Sequence, residues 1–375
     1  MHTPNLFDYV KWRGDLDFDR FPFNPVDNII FSQLSYLPMD GIVPGTGEKG
    51  TVDIAAFSKL YAAKKLAGWQ TPKEIMVDGA AAVLNSVWAA PRYEDCGLWG
   101  YENSTCSGEE KQFSAFCAVT GKKRQAKKLI VVFRGTDMSL VGWKEDFNMS
   151  FTDSVPAQKE AVRYIEKAAG RFAHPLIVAG HSKGGNLAVF AAAFCNEAVQ
   201  RRIENVYSND APGFSAKVIN SSGYAAVSGR IKAFVPQSSV VGMLFEHGVS
   251  SCVVKSCASG FMQHDLCTWG VEKDRLADGG ELTHQSRIIN GIIREWSGKI
   301  NISQRQQFIE ALYRILTCAN INSFSDIGHD RAGAVRGIIN EIKNTDTETK
   351  KLLGEIFGEL FKTAGKNIME QRHKG

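Results

Sequence analysis

The chain has 375 residues, of which 44% are hydrophobic and 22% are charged. This composition excludes a disordered chain, which would carry fewer apolar residues and a larger net charge. The formal net charge of +4 is small, and the basic cluster at residues 122–124 and 127–128 is narrower than the face that nucleic-acid binding normally needs. We therefore expect a compact protein with no nucleic-acid partner. The cluster itself indicates a solvated hairpin, with an anionic partner as the alternative.

The eight cysteines form no CxxC pair and no Cys/His spacing that is typical of a zinc site. We interpret them as reduced structural thiols and expect neither a metal nor a cofactor. The first ten residues lack the basic start and apolar run of a signal peptide, and no apolar segment reaches the roughly 20 residues that a membrane span needs. These features predict a cytoplasmic protein without a membrane span.

The first ninety residues predict helices. Residues 28–37 are mostly apolar, residues 52–66 carry apolar side chains at helical spacing, and Pro72 stands at the first position of a run to residue 90. A stretch rich in Gly, Ser and Asn, residues 97–108, then leads into two predicted strands, 112–120 and 129–133. A polar turn around residues 121–124 is expected to join these strands.

Strands and helices alternate in the middle of the chain. The pattern predicts strands at 129–133, 176–178, 203–208, 231–235 and 249–255, with helices at 157–172 and from Gly184 to about residue 198. Such alternation is typical of an α/β protein whose mainly parallel sheet is flanked by helices on both faces.

After about residue 271 the pattern changes to long amphipathic helices, predicted at 285–296, 303–317, 330–344 and 347–364. We place the domain boundary between Trp269 and Gly280. Residues 1–270 then form the α/β domain with its N-terminal helices, and residues 271–375 form a helical extension or cap. Whether the N-terminal helices and this extension cover a site, bind a partner or simply pack against the core stays open.

The segment Gly180-His-Ser-Lys-Gly184 fits the pattern G-x-S-x-G between a short apolar strand and an alanine-rich helix. Small neighbours permit the sharp, strained turn of a nucleophile elbow, and the helix start places backbone N–H groups near developing negative charge. We therefore predict that Ser182 is a nucleophile, with a phosphate-binding or packing turn as the alternatives. His181 is predicted to be positional, and Lys183 to offer chiefly its backbone N–H.

Together with residues 130–137 and 142–147, this elbow resembles the class 3 lipases, the fungal triacylglycerol lipase group within the α/β-hydrolases, over roughly residues 112–269. The resemblance implies an α/β-hydrolase fold and hydrolysis of a carboxylic ester. It also implies an oxyanion hole formed at Thr136 and by the backbone N–H of Lys183.

The opening segments at residues 5–9 and 27–35 look like those of an uncharacterised bacterial branch of this lipase-like group, and that likeness covers most of the chain. Neither resemblance fixes the substrate. A lipid or acylglycerol ester, a small metabolite ester, a thioester and a peptide stay open.

A serine nucleophile needs a base and a carboxylate, which follow the serine in the order acid, then histidine, in α/β-hydrolases. The resemblance places the base at His264, in a loop after the last predicted strand, with His247 as the alternative. His284 opens a predicted helix and is interpreted as a surface or capping residue. The lipase pattern places the acid in the stretch 235–242, where this chain has Ser239.

Asp210 is the predicted acid, because it directly follows the strand 203–208 and so stands at the carboxyl edge of the sheet. Glu246, Asp265 and no acid at all are the alternatives, and Asp210 as a plain turn residue is a further one. Because Ser239 departs from the lipase pattern, a hydrolase-like binding or scaffold protein without turnover is the rival interpretation. Asp137 and Asp146, near the oxyanion strand, are interpreted as structural.

Overall fold

The structure is a computed structural model with side chains. It describes residues 3–71, 75–94, 96–106, 111–121, 127–136, 149, 154–284 and 286–287, with residues 291, 347, 350 and 351. Outside the described residues lie Pro72, the basic hairpin 122–124, Asp137, the segment 142–147 with Asp146, the predicted helices 303–317 and 330–344, and most of 285–296 and 347–364. Within the described part, no helix is both long and apolar enough to cross a membrane.

The strands are β1 (Val52–Asp53), β2 (Gly97–Cys106), β3 (Lys111–Val119), β4 (Leu129–Phe133), β5 (Leu176–His181), β6 (Ile203–Asn209), β7 (Ile231–Pro236), β8 (Ser251–Val254), β9 (Val271–Glu272) and β10 (Arg275–Leu276). The helices are α1 (Leu6–Arg13), α2 (Pro25–Leu34), α3 (Ile54–Leu66), α4 (Ile75–Val87), α5 (Pro91–Glu94), α6 (Pro156–Arg171), α7 (Lys183–Phe194), α8 (Glu197–Gln200), α9 (Ala216–Ile219) and α10 (Ser222–Ser228). Short 3-10 helices cover Val241–Met243, Gly260–His264 and Leu266–Thr268.

Strands β1 to β8 form one sheet in chain order. The pairs from β1 to β4 are antiparallel, and the pairs from β4 to β8 are parallel. In the parallel part, Phe133 of β4 is paired with Gly180 of β5, and His181 with Asn209 of β6. The carboxyl ends of these strands therefore meet at one edge, where α/β proteins place their sites. The predicted α/β-hydrolase type of architecture, a sheet flanked by helices, is confirmed.

The sheet has a hydrophobic core on each face because alternate strand residues point to opposite sides. Ile130 and Val132 of β4 pack into a cluster with residues of α1 to α4. Leu129, Val131 and Phe133 pack into a second cluster with residues of α6, α7 and α10. The N-terminal helices are thus one of the two layers that cover the sheet.

Local signals set the starts of the N-terminal helices. The predicted helix 28–37 begins at Pro25 and ends at Leu34, because the Asn24 side chain accepts from the N–H groups of Val26 and Asp27 and proline suits the first helical position. The predicted helix 52–66 begins at Ile54, since Asp53 is its N-cap. Strand β2 occupies the Gly/Ser/Asn-rich stretch, for which the sequence predicts no strand.

The hairpin of β9 and β10 follows the sheet and packs on the N-terminal segment. The backbone N–H of Val271 donates to the carbonyl of Pro4 at 2.8 Å, and Val271 and Leu276 are buried in the cluster that holds α1 to α4. The predicted start of the helical extension near residue 271 therefore falls on a hairpin. The domain division at residue 270 stays a prediction.

Candidate active site

Ser182 occupies the turn between β5 and α7 with φ 56° and ψ −131°. A positive φ is uncommon for a residue other than glycine and marks a strained position. The turn closes only because its neighbours are glycines: a Cβ on Gly180 would lie 2.1 Å from the carbonyl oxygen of Gly184. The backbone N–H of Ser182 donates to the carbonyl of Asn209 at 2.9 Å, which ties the turn to the end of β6.

The end of β4 lies against this turn. A Cβ on Gly184 would stand 2.1 Å from the carbonyl oxygen of Phe133, and one on Gly135 would stand 3.0 Å from Ser182 Cβ. Thr136, the next residue, is buried. Lys183 is the first residue of α7, so its backbone N–H lies at a helix N-terminus. Of the two predicted oxyanion residues, Lys183 therefore adjoins Ser182 in the chain, and Thr136 adjoins Gly135, which lies against Ser182.

Asp210 and His264 are joined by a 2.6 Å hydrogen bond between Asp210 Oδ2 and His264 Nδ1. Both side chains are buried. The other carboxylate oxygen, Asp210 Oδ1, accepts from the Ser239 hydroxyl at 2.5 Å and from the Gly242 backbone N–H at 3.1 Å. With Nδ1 directed at the carboxylate, Nε2 is the nitrogen on the opposite side of the imidazole.

The fold brings these two residues together from distant parts of the chain. Asp210 directly follows β6, has φ 44°, and donates its backbone N–H to the carbonyl of Phe234 at 2.7 Å. His264 ends the 3-10 helix Gly260–His264, after β8. Its neighbour Gln263 accepts from the backbone N–H of Ser238 at 2.7 Å. The predicted base and acid thus meet at the carboxyl edge of the sheet, where the ring of His264 lies against that of His181, the residue before Ser182.

His181 is a buried imidazole beneath this pair. Its ring centroid lies 4.3 Å from that of His264, and its Nδ1 is 2.7 Å from the hydroxyl oxygen of Tyr36. Burial, and secondarily the charge of His264, hold the pKa of His181 well below its usual range. His181 is therefore neutral.

An amide pair supports the elbow from α2. Asn28 Nδ2 donates to Asn209 Oδ1 at 2.8 Å, and Asn209 Nδ2 donates to Asn28 Oδ1 at 3.0 Å and to the carbonyl of Gly180 at 2.9 Å. Asn28 and Ser32 are polar residues four positions apart on one face of an apolar helix, a pattern in the sequence that indicates a polar contact on that face. Tyr36, which contacts His181, stands four residues after Ser32 but two residues past the end of α2.

The two alternative acids, Asp265 and Glu246, and the histidine His284 have other surroundings. Asp265 turns its carboxylate to the backbone N–H of Cys267 at 2.9 Å, and burial raises the pKa of Asp265. Glu246 forms a backbone bridge with Phe214, and His284 is exposed. Among the described residues, no cluster of three or more His, Cys, Asp or Glu side chains is placed to hold a metal ion.

Comparison with known proteins gives a family and a set of distant structures. A family model described as Mbeg1-like matches residues 87–314, which is more than half of the chain. No protein with a curated description matches the sequence.

Three solved lipase structures are distantly similar. The native Rhizomucor miehei lipase propeptide complex is 18% identical over 54% of this chain and 66% of that chain, with a TM-score of 0.33. A fungal lipase–inhibitor complex is 16% identical over 54% and 76%, with a TM-score of 0.33. M37 lipase is 15% identical over 58% and 69%, with a TM-score of 0.34. This chain thus spans just under two thirds of the Rhizomucor miehei lipase.

Proposed function

The chain belongs to the Mbeg1-like family, and from that premise we propose that it is a serine hydrolase that cleaves carboxylic esters. Ser182 is the nucleophile, His264 the general base, and Asp210 the residue that orients His264. The observation that carries the proposal is the 2.6 Å bond between Asp210 and His264, at the sheet edge where Ser182 adopts the strained geometry of a nucleophile elbow.

The proposed proton transfers follow from the two nitrogens of His264. Asp210 holds Nδ1 in its protonated form, so Nε2 is the nitrogen that accepts the Ser182 proton. The Ser182 oxygen then bonds to the acyl carbon, and the proton passes to the leaving alcohol as its C–O bond breaks. A water molecule then gives a proton to Nε2 and bonds to the acyl carbon. The proton passes to the Ser182 oxygen as its bond to the acyl carbon breaks, which frees the carboxylic acid. Nε2 must reach the hydroxyl in the substrate complex, where such hydrogen bonds tighten.

The buried surroundings suit this chemistry. The imidazolium that forms on His264 lies against a buried carboxylate, and the neighbouring ring of His181 is held neutral. The negative charge of the tetrahedral intermediate is proposed to lie between Thr136 and the backbone N–H of Lys183, the first residue of α7. Removal of one such donor typically costs about 2.7–4 kcal/mol of transition-state stabilisation.

The substrate is proposed only as a class. A carboxylic ester, from a lipid or from a small metabolite, is the expected substrate, and p-nitrophenyl esters of increasing acyl length distinguish these two. A preference for long acyl chains favours a lipid, whereas a preference for acetate or butyrate favours a small ester.

The experiment that tests the proposal measures ester hydrolysis and fluorophosphonate labelling of the purified chain. Ser182→Ala and His264→Ala are expected to abolish both activities, and Asp210→Asn is expected to lower kcat by up to about 10⁴-fold. Asp265→Asn is the matched control, because Asp265 is a partly buried carboxylate beside His264 in the chain that accepts from a backbone N–H of its own turn. If the folded wild-type chain neither labels nor hydrolyses any ester, the non-catalytic binding module is the better account.

A further inference from the structure

Two loops that follow neighbouring strands meet at one carboxylate. Asp210 follows β6, and Ser239 follows β7. The Ser239 hydroxyl donates to Asp210 Oδ1 at 2.5 Å. Both residues are buried, with 2% of the surface of Ser239 and 1% of that of Asp210 exposed. A hydrogen bond from a hydroxyl to a buried carboxylate is among the stronger kinds in a protein.

The two oxygens of this carboxylate have separate partners. Asp210 Oδ1 faces Ser239 and the backbone N–H of Gly242, while Oδ2 faces His264. The terminal torsion of an aspartate is broad, so the side chain alone does not fix which way its oxygens point. The donors on Oδ1 therefore set the direction of Oδ2 and, through it, the orientation of the imidazole.

Ser239 is itself held firmly. We define the Ser239 loop as residues 237–242. Ser239 donates its backbone N–H to the carbonyl of Pro236 at 3.0 Å, and its own carbonyl accepts from the Ser286 hydroxyl at 2.5 Å. At Gly242 a Cβ would lie 2.3 Å from Asp210 Oδ1 and 2.9 Å from Ser239 Oγ, so the loop closes directly on the carboxylate.

The Ser239 loop also contacts the element that carries the base. The backbone N–H of Ser238 donates to Gln263 Oε1 at 2.7 Å, and the Gln263 carbonyl accepts from the indole of Trp269 at 2.8 Å. One loop therefore holds the acid through Ser239 and Gly242 and holds the neighbour of the base through Ser238.

We infer that Ser239 is a positioning residue of the site: its hydroxyl aims the Asp210 carboxylate at His264, and position 239 lies close enough for a carboxylate placed there to take over that task. This inference rests on the proposed function and deepens it. It assigns a task to Ser239, which stands where the lipase pattern in the sequence predicts an acid.

The first test compares Ser239→Ala with Ser238→Ala. The Ser238 hydroxyl contacts only Thr283 among the side-chain hydrogen bonds of the described residues, at 3.4 Å, so it is a matched control in the same loop. Loss of a hydrogen bond to a charged group predicts a fall in kcat of between about 10- and 100-fold for Ser239→Ala. KM should be unchanged, because the hydroxyl does not touch the substrate. Equal kcat values for the two variants would overturn the inference.

The second test moves the carboxylate. Asp210→Ser is expected to lose activity. Asp210→Ser combined with Ser239→Asp is expected to be at least about tenfold more active than Asp210→Ser alone. A residue with a merely structural role would give no such rescue. A double variant no more active than Asp210→Ser contradicts the claim that position 239 can take over.

A readout without turnover separates this inference from the proposed function. In protein labelled with ¹⁵N-histidine, the Nδ1 proton of His264 reports its bond to Asp210. A resonance that is shifted or lost in Ser239→Ala but kept in Ser238→Ala supports the inference, even if the wild-type chain hydrolyses no ester and the proposed function fails. Identical spectra for wild type and Ser239→Ala refute the inference, even if the chain is an esterase.

Discussion

Replacing Gly184 by alanine tests how closely the end of β4 must approach Ser182, the proposed nucleophile. The new Cβ would lie 2.1 Å from the carbonyl oxygen of Phe133 and 2.8 Å from the carbonyl carbon of Arg134. Both contacts are with backbone, which cannot rotate away as a flexible side chain would. The contact with Phe133 must therefore open by roughly 1 Å before it reaches an allowed separation.

That displacement moves the strand end that carries Thr136 relative to Ser182. A misplacement of about 1 Å can cost about 10²-fold in rate, or roughly 2.7 kcal/mol of transition-state stabilisation. Overpacking of this kind also costs typically about 1–3 kcal/mol of folding free energy. We expect kcat/KM for a p-nitrophenyl ester to fall by about 10²-fold in Gly184→Ala, in protein that circular dichroism and thermal unfolding show to be folded.

Gly170→Ala is the matched control, since Gly170 lies in α6 and nothing stands within 4 Å of the position that the new methyl group would take. It should keep full activity and gain about 0.5–1 kcal/mol of stability, because alanine is the better helix former. A folded Gly184→Ala variant with kcat/KM close to that of Gly170→Ala would refute the reasoning that a tight fit at this turn holds the oxyanion donors.

Three further outcomes follow from buried groups. Arg92→Ala removes the guanidinium that lies 2.6 Å from Asp27 in a fully buried ion pair. Urea denaturation should show that the free energy of unfolding falls by about 3–5 kcal/mol, and a fall below about 1 kcal/mol would contradict this. His181 has a lowered pKa, so below about pH 6.5 the unfolded chain binds more protons than the folded one. The free energy of unfolding should therefore decrease as the pH is lowered below this value, by up to about 1.4 kcal/mol per pH unit. His181→Gln should lose that part of the slope, and an unchanged slope would refute the assignment. Tyr36→Phe removes the hydroxyl 2.7 Å from His181 Nδ1, and calorimetry should record a loss of about 1–3 kcal/mol rather than none.

The parts of the fold that local pattern determines could be predicted from the sequence. Strand β4 has the predicted bounds, Leu129–Phe133, because a short run of β-branched and aromatic residues is bounded by polar ones. The turn at Ser182 was predictable for the same reason, since the glycines that permit it stand within two residues. Such features need no knowledge of distant residues.

Strand β2 could not be predicted in this way. Its sequence contains Gly97, Gly100, Asn103 and Ser104, residue types that are depleted in strands or typical of turns. The pairing with β3 supplies the backbone hydrogen bonds that make it a strand, and those bonds depend on tertiary context. A register shift within the pair further hides the alternation of burial.

In the candidate site, too, local sequence predicts the position of a residue but not its contacts with residues far away in the chain. Asp210 could be placed at the sheet edge from its position after a predicted strand, but its contact with Ser239 joins residues 29 positions apart. The contact of Tyr36 with His181 joins residues 145 positions apart. No periodic pattern encodes such pairs. The sequence therefore indicated which residue types could act, while the fold brings together the groups that hold them.

The most direct test of Ser182 as the nucleophile is the site of covalent modification. The purified chain is treated with a fluorophosphonate, digested, and mapped by mass spectrometry, with the Ser182→Ala variant in parallel. We expect a single adduct on the peptide that contains Ser182 and none in the variant. A folded wild-type chain that hydrolyses esters but carries its adduct elsewhere, or that carries none at all, would contradict Ser182 as the nucleophile.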